Sequence, residues 1–263
     1  MLKYLKIYPK YLAMAIKSKL AYRMDAIIGS FGFIASNTAA FFTLYLTITA
    51  IPALGDWTIE KMVFLYGFCL VPKAIDHILS DNLWSLGNWM VTKGDLDPIL
   101  TRPLNPLFQI VAREFQYEGF GELILGIIFL AIYGPKQNIV WTFNNVMPLV
   151  LCGFFAIFLF FGIKLITASL AFWMKRSISL MSGIYELSNF TKYPLEIFHD
   201  IVKVILVAII PFSLVMYYPV SYLYEGKSIW VLTGIIGLVV SFLVGLGYLL
   251  FKLGLKRYES AGS

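Results

Sequence analysis

The sequence predicts an all-α polytopic membrane protein: six transmembrane helices behind an N-terminal interfacial amphipathic helix. Three observations predict it. Hydrophobic residues make up 59% of the 263 positions and charged residues only 14%, against about 45–50% and about 25% in soluble domains. The apolar stretches are long enough for spans of roughly 20 residues, and no block on the order of 100 mixed-polarity residues remains for a soluble domain. Basic residues gather at the ends of these stretches, so the net charge of +6 fits the positive-inside rule rather than nucleic-acid binding. The expected organisation is an interfacial helix over 1–23, one six-span membrane domain over 24–257 and a polar tail over 258–263.

In residues 1–23, Lys3, Lys6, Lys10 and Lys17 recur at three-, four- and seven-residue steps, with Leu2, Leu5, Tyr8, Leu12 and Ile16 between them. That pattern reads as a helix lying in the interface with its lysines toward anionic headgroups. The alternative is an ordinary basic flank of the first span. The stretch lacks the continuous apolar core and small-residue cleavage site of a signal peptide. The first span covers about 24–51, where Gly29, Ser30, Gly32, Ala35, Ser36, Ala39 and Ala40 predict close helix contact. Residues 51–58 form an outer turn with Trp57.

The second span covers about 59–86 and carries Lys73, Asp76, His77 and Asp81. Ionisable groups at membrane depth are costly. Lys73, Asp76 and His77 share a helix face at i, i+3, i+4 and can pair. They read either as a polar lining or inter-helix ion pair, or, the favoured reading, as charges tolerated near the interface. Residues 93–108, KGDLDPILTRPLNPLF, are the longest break in the apolar pattern. Leu96, Ile99 and Leu100 offer an apolar stripe on a short helix along the membrane, which Asp95 or Asp97 can cap and which Pro103 and Pro106 end. Such a short, rigid, amphipathic piece suits a force-transmitting contact with another protein.

The third span covers about 115–133. Glu118 and Glu122, at i, i+4, could form a cation site or proton relay; basic partners on a neighbouring helix, or water, are the favoured reading. Residues 134–141 form a second outer turn. The fourth span, about 142–173, contains Lys164, which either snorkels or pairs with Glu118 or Glu122. The last span, about 229–253, is rich in glycine (Gly234, Gly237, Gly245, Gly247). Fourteen basic residues fall in the proposed inner segments (Lys3, Lys6, Lys10, Lys17, Lys19, Arg23, Lys93, Arg102, Arg113, Lys175, Arg176, Lys252, Lys256, Arg257) against three outside (Lys61, Lys136, Lys227), which places both termini in the cytoplasm. The number of spans is then even, so residues 177–224 hold one crossing. Either 177–193 crosses and 194–222 is a re-entrant outer hairpin, or 177–200 is cytoplasmic and 201–218 crosses. Hydropathy favours the second.

Catalytic patterns are missing from the sequence. It has no GxxxxGK[ST] phosphate loop, GxSxG, HExxH or CxxC. Cys69 and Cys152 lie in apolar runs and read as packing residues. His199-Asp200 is an isolated pair.

GDLDPILTRPLNPLFQIVAREF and, later, FTKYPLEIFHDIVKVILVAIIPFSLVMYYPVSYLYEGK resemble the ABC-2 family permease subunits of bacterial ABC transporters, in the branch with a G-x-L-D-x-x-L-x-R-P-L-x-P loop after the second span. The loop motif falls on Gly94, Leu96, Asp97, Leu100, Arg102, Pro103, Leu104 and Pro106. The second signature falls on Phe190, Tyr193, Pro194, Ile210, Pro211, Tyr218 and Pro219. The resemblance covers nearly the whole chain. It implies a cytoplasmic coupling helix within 88–108, a homo- or heterodimer with a second permease subunit, and two copies of a separate ATPase that binds the ATP and Mg. This chain then needs no cofactor, metal or catalytic residue of its own. The expected ATPase contacts are Gly94, Asp95, Leu96, Asp97, Ile99, Leu100, Arg102 and Pro103, and the expected polar membrane residues are Lys73, Asp76, Glu118, Glu122 and Lys164. The resemblance also shifts the preference to 177–193 as the crossing with 194–222 re-entrant. It implies export of an unspecified substrate across a bacterial plasma membrane. Two other classes compete. A secondary transporter would use Glu118, Glu122, Lys164 and Asp76 as an ion relay, but no repeated half is evident. A lipid-directed enzyme would have only Glu118 and Glu122 to use, with no nucleophile or metal partner.

Overall fold

The computed structural model describes residues 2–21, 23–50, 57–137 and 139–260; it is helical throughout, with no strand among the described residues. α1 (Leu2–Ala21) and α2 (Arg23–Ala50) lead into α3 (Ile59–Ser80). The Thr58 hydroxyl caps α3, accepting from the Lys61 amide at 3.4 Å. α3 stops at Asp81, short of the expected 86. The chain continues through α4 (Leu83–Ser85) and a π turn, Leu86–Met90, into the loop, which holds α5 (Asp97–Leu100) and α6 (Pro106–Ala112). α7 (Gly119–Tyr133) starts four residues later than expected. α8 (Phe143–Ser169) and α9 (Ala171–Met174) follow, then α10 (Ile178–Glu186), α11 (Asp200–Val204), α12 (Phe212–Tyr224) and α13 (Trp230–Arg257).

Among the described residues, three stretches are long and apolar enough to cross a membrane: Ile59–Ser80, Phe143–Met174 and Trp230–Arg257. A fourth is added if Asp200–Ile209 and Phe212–Tyr224, bent by 101°, count as one span. α7 is apolar but has only 15 residues.

α8 is the spine. Its Leu159, Phe160 and Ile163 pack with Phe64 and Phe68 of α3, Phe212 and Val215 of α12, and Ile236 and Val240 of α13. A second core lies at the end of the bundle that carries the loop. There Leu83, Leu86, Met90, Leu96, Ile99 and Ile110 meet Leu165, Phe172 and Phe251. Lipid is as apolar as these side chains, so close packing rather than water exclusion holds such helices together. Two glycine pairs allow it. A Cβ on Gly67 of α3 would stand 3.1 Å from the Gly126 carbonyl of α7, and one on Gly247 of α13 would stand 3.3 Å from the Gly162 carbonyl of α8. The opposite faces of α8 and α13 expose Phe154, Phe158, Leu238 and Phe242, as a lipid-facing surface does.

Residues 177–224 make one net traverse of the bundle. The Ser177 amide donates to the Gly87 carbonyl at 2.8 Å, at the loop end. Thr191 lies beside Cys69, and Lys192 Nζ stands 5.7 Å from the Tyr66 ring. The chain bends at Pro211, which has no amide hydrogen to continue a helix. Phe212 meets Phe160 at 5.3 Å, and α12 then climbs until the Tyr224 hydroxyl donates to the Lys61 carbonyl at 3.5 Å, at the opposite end.

Candidate functional site

Ionisable groups of α3, α7 and α8 form a chain inside the bundle. Lys164 Nζ lies 2.7 Å from Asp76 Oδ2 and 2.9 Å from Asp81 Oδ1. Lys164 and Asp76 are each 1% exposed. Ser80 donates to the other Asp76 oxygen at 2.5 Å. His77 bridges Asp81 Oδ2 and Glu122 Oε2, at 3.4 Å each. Lys73 belongs to none of these ion pairs: its Nζ donates to Asn189 Oδ1 at 3.2 Å and stands 5.1 Å from the Tyr185 ring, which Lys164 Nζ also approaches, at 5.4 Å. Lys73, His77, Asp81 and Glu122 border a chamber of about 620 Å³ whose other wall is Gly29, Gly32, Ser36, Asn37 and Ala40 of α2.

Several expectations change here. Asp76 is a buried inter-helix ion-pair partner, not an interfacial charge. Lys73, Asp76 and His77 share a face yet each has a partner on another element or turn, because Lys164, Asn189 and Glu122 project between them. Lys164 pairs with Asp76 and Asp81 rather than with Glu118 or Glu122. Glu122 does find a basic partner on a neighbouring helix, His77. Glu118 sits at the N-cap position of α7 without capping it. Of the small residues of α2 that line the chamber, Gly29 lies close to another element, its Cβ position 3.4 Å from Glu118 Oε1, while a Cβ at Gly32 would meet nothing within 4 Å.

The 93–108 loop is braced on one side and open on the other. Gly94 adopts φ +75°, a left-handed conformation open to glycine without penalty. Leu96 and Ile99 are 0% and 5% exposed and belong to the second core; of the expected apolar stripe only Leu100 stays outside. Asp95 and Asp97 do not cap α5. Leu96 occupies that position, and Asp97 instead accepts from Tyr258 Oη at 3.0 Å and Ser260 Oγ at 2.6 Å. Pro106 begins α6 at its first turn, rather than ending a helix, and Asn105 caps it through the Leu107 amide at 2.9 Å. The Gln109 amide donates to the carbonyls of Ile99 at 3.0 Å and Leu104 at 3.2 Å. α1 clasps the loop from outside. Tyr4, Tyr8 and Tyr11 surround Phe108 with ring centroids at 4.8, 6.5 and 6.1 Å. Burial there pushes the Tyr8 phenol above its ordinary pKa. Tyr4 Oη accepts from the Asn105 amide at 3.3 Å, and Arg102 Nη1 donates to Tyr11 Oη at 3.5 Å. Lys93, Pro98, Leu100, Thr101, Arg102 and Pro103 remain exposed.

The family described as ABC-2 family transporter protein matches residues 34–262. The chain belongs to the ABC-2 transporter family. Comparisons with curated proteins and with solved structures gave no match. This ABC-2 chain is therefore a multi-pass transport protein. Cys69 and Cys152 are buried and free, and His199 caps α11 by accepting from the Ile201 amide at 3.4 Å. Among the described residues no group of three His, Cys, Asp or Glu could hold a metal. The tyrosines at 4, 8 and 11 were legible as an i, i+4, i+7 stripe, which marks one helix face. Tyr258 and Ser260, assigned to a plain polar tail, carried no such signal.

Proposed function

We propose that the chain is the permease subunit of an ATP-driven ABC-2 exporter, forming the translocation path and coupled to a separate ATPase through the 93–108 loop. The six spans are α2, α3, α7, α8 with α9, the 178–224 segment and α13. Both termini and the loop lie on the cytoplasmic side of a bacterial plasma membrane, and 194–222 is re-entrant from outside. ATP and Mg bind the ATPase, and the permease works as a homo- or heterodimer. The observation that carries the reading is the loop's two-sidedness. Leu96, Ile99 and Asp97 tie it to α8, α13 and the C-terminal residues, while Leu100, Arg102 and Pro103 face outward. A push on the outer face then reaches the bundle without being absorbed, as an interface-driven switch requires. In the complex with its ATPase in lipid, Arg102→Glu and Leu100→Asp are expected to lower substrate-coupled ATP hydrolysis at least tenfold without reducing membrane insertion. Unchanged coupling in both would refute the loop's role.

A second reading rests on the continuous chain Glu122–His77–Asp81–Lys164–Asp76, which suits a proton relay in an ion-gradient-driven transporter. Transport by the purified chain alone, driven by a pH gradient and lost in His77→Gln, would favour it.

A further inference from the structure

Beside the ion-pair chain lies a feature that neither reading uses. Lys73 and Lys192 are half-buried and line a narrow cavity of about 60 Å³. None of the ion pairs among the described residues involves either lysine. Their direct contacts are neutral, while Glu122 in the cavity wall and Glu186, which accepts from the Asn189 amide at 2.5 Å, stand beyond ion-pair distance. Lys73 has Asn189 and the Tyr185 ring, and Lys192 Nζ stands 5.7 Å from the Tyr66 ring and 6.0 Å from that of Tyr193. A third wall is Ser188, 5% exposed, whose hydroxyl has no hydrogen-bond partner. Ammonium groups inside a membrane protein pair with an anion or face a conduit, and a buried hydroxyl is satisfied. Here the missing partner of all three is an acceptor-rich, negatively charged group. The cavity has room for roughly four to six water-sized spheres at about 10–15 Å³ each, the scale of a phosphate or carboxylate. It shares Asn37, Lys73, Glu122 and Asn189 with the 620 Å³ chamber, so the rest of a ligand has somewhere to go. Glu122 turns one oxygen to His77, and the chamber wall adds Asp81 and Glu186. A second anionic group on the ligand is therefore repelled.

We propose that Lys73, Lys192 and Ser188 form a binding site for the single anionic head, phosphate or carboxylate, of an amphiphile whose remaining part is neutral or cationic and occupies the chamber. This rests on the permease reading only in making that amphiphile the cargo class. The binding itself requires no ATPase, so its failure leaves the coupling experiment untouched, and failure of coupling leaves the site standing.

The probes are octyl phosphate, octylphosphocholine, octyltrimethylammonium and inorganic phosphate, added to the full chain in an uncharged maltoside detergent. The readouts are protection of individual lysines from reductive methylation, followed by mass spectrometry, and titration of the protection to a Kd. Octyl phosphate and octylphosphocholine are expected to protect Lys73 and Lys192 but not Lys136, and octyltrimethylammonium to protect none. Lys73→Gln and Lys192→Gln each weaken binding at least tenfold, Ser188→Ala weakens it a few-fold, and Lys136→Gln leaves it unchanged. The lysine-protection arm uses the unaltered chain, so a variant that fails to fold does not spare the proposal. Absence of protection, equal protection by octyltrimethylammonium, or unweakened binding in both lysine variants overturns it. Inorganic phosphate is expected to protect neither lysine at the same concentration; protection by it equal to that by octyl phosphate overturns the amphiphile assignment.

Discussion

Lys164 and Asp76 form an ion pair at 2.7 Å with almost no exposure. Breaking a buried pair from one side strands the other charge, at a cost of about 3–5 kcal/mol. Lys164→Met should therefore lower the melting temperature in detergent markedly, and adding Asp76→Asn should recover a large part. If the double variant melts no higher than the single, the stranded charge is not the cause. Asp97 makes a different prediction. Its carboxylate accepts from both Tyr258 and Ser260, and the Tyr258 ring also packs on Phe172 at 6.2 Å, so Asp97→Ala should make the residues beyond Arg257 more readily cleaved by dilute protease while the spans stay intact, and unchanged cleavage would show that Asp97 does not brace them. Neither arrangement was legible in the sequence. The i, i+3, i+4 spacing correctly places Lys73, Asp76 and His77 on adjoining faces, but spacing within one helix says nothing of what another helix inserts. The partners of Asp76 and Lys73 lie 88 and 116 positions further along the chain, at Lys164 and Asn189.

At the scale of elements, close crossings decide which glycines matter. The α3–α7 crossing leaves a Cβ on Gly67 only 2.9 Å from the Phe129 Cβ and 3.1 Å from a carbonyl oxygen, with backbone on one side and no flexible side-chain end to yield. Gly67→Ala is expected to destabilise the bundle by about 1–3 kcal/mol, the usual cost of overpacking. Gly245→Ala, where a Cβ meets nothing within 4 Å, should be neutral or slightly stabilising, since glycine in a helix costs about 0.5–1 kcal/mol against alanine. Equal melting points for the two variants would refute the crossing. Hydropathy alone located α3, α8 and α13, because each is a long apolar run. It overextended α3, since the turn at Asp81 and Asn82 is set by the Asn82 amide donating to the Ile110 carbonyl at 2.6 Å, a tertiary contact with no local signature. Of the four glycines noted in the last span, Gly247 and Gly237 sit at contacts, against the α8 backbone and Phe155, while Gly234 and Gly245 face open space.

For the whole molecule, the path of 177–224 sets a test of topology. It leaves the Gly87 end and arrives beside Lys61. Cysteine placed at Asp200, which is exposed, should be labelled by an impermeant maleimide from the same side as cysteine at Lys136 or Lys227, and opposite to cysteine at Lys93. Labelling of Asp200 only with Lys93 would exclude a re-entrant 194–222. The two native cysteines are buried and leave the background low. The clasp on the 93–108 loop has a further consequence, for biogenesis. Asp97 emerges from the ribosome 161 residues before Tyr258, the group that fixes it, and α1, which covers Phe108, emerges long before both. During synthesis the loop is thus held first by α1 and by its packing on Leu165 and Phe172, and Asp97 gains its partners last. A nascent chain that stops short of Tyr258 would therefore carry the loop with the Asp97 carboxylate not yet bonded to Tyr258 and Ser260.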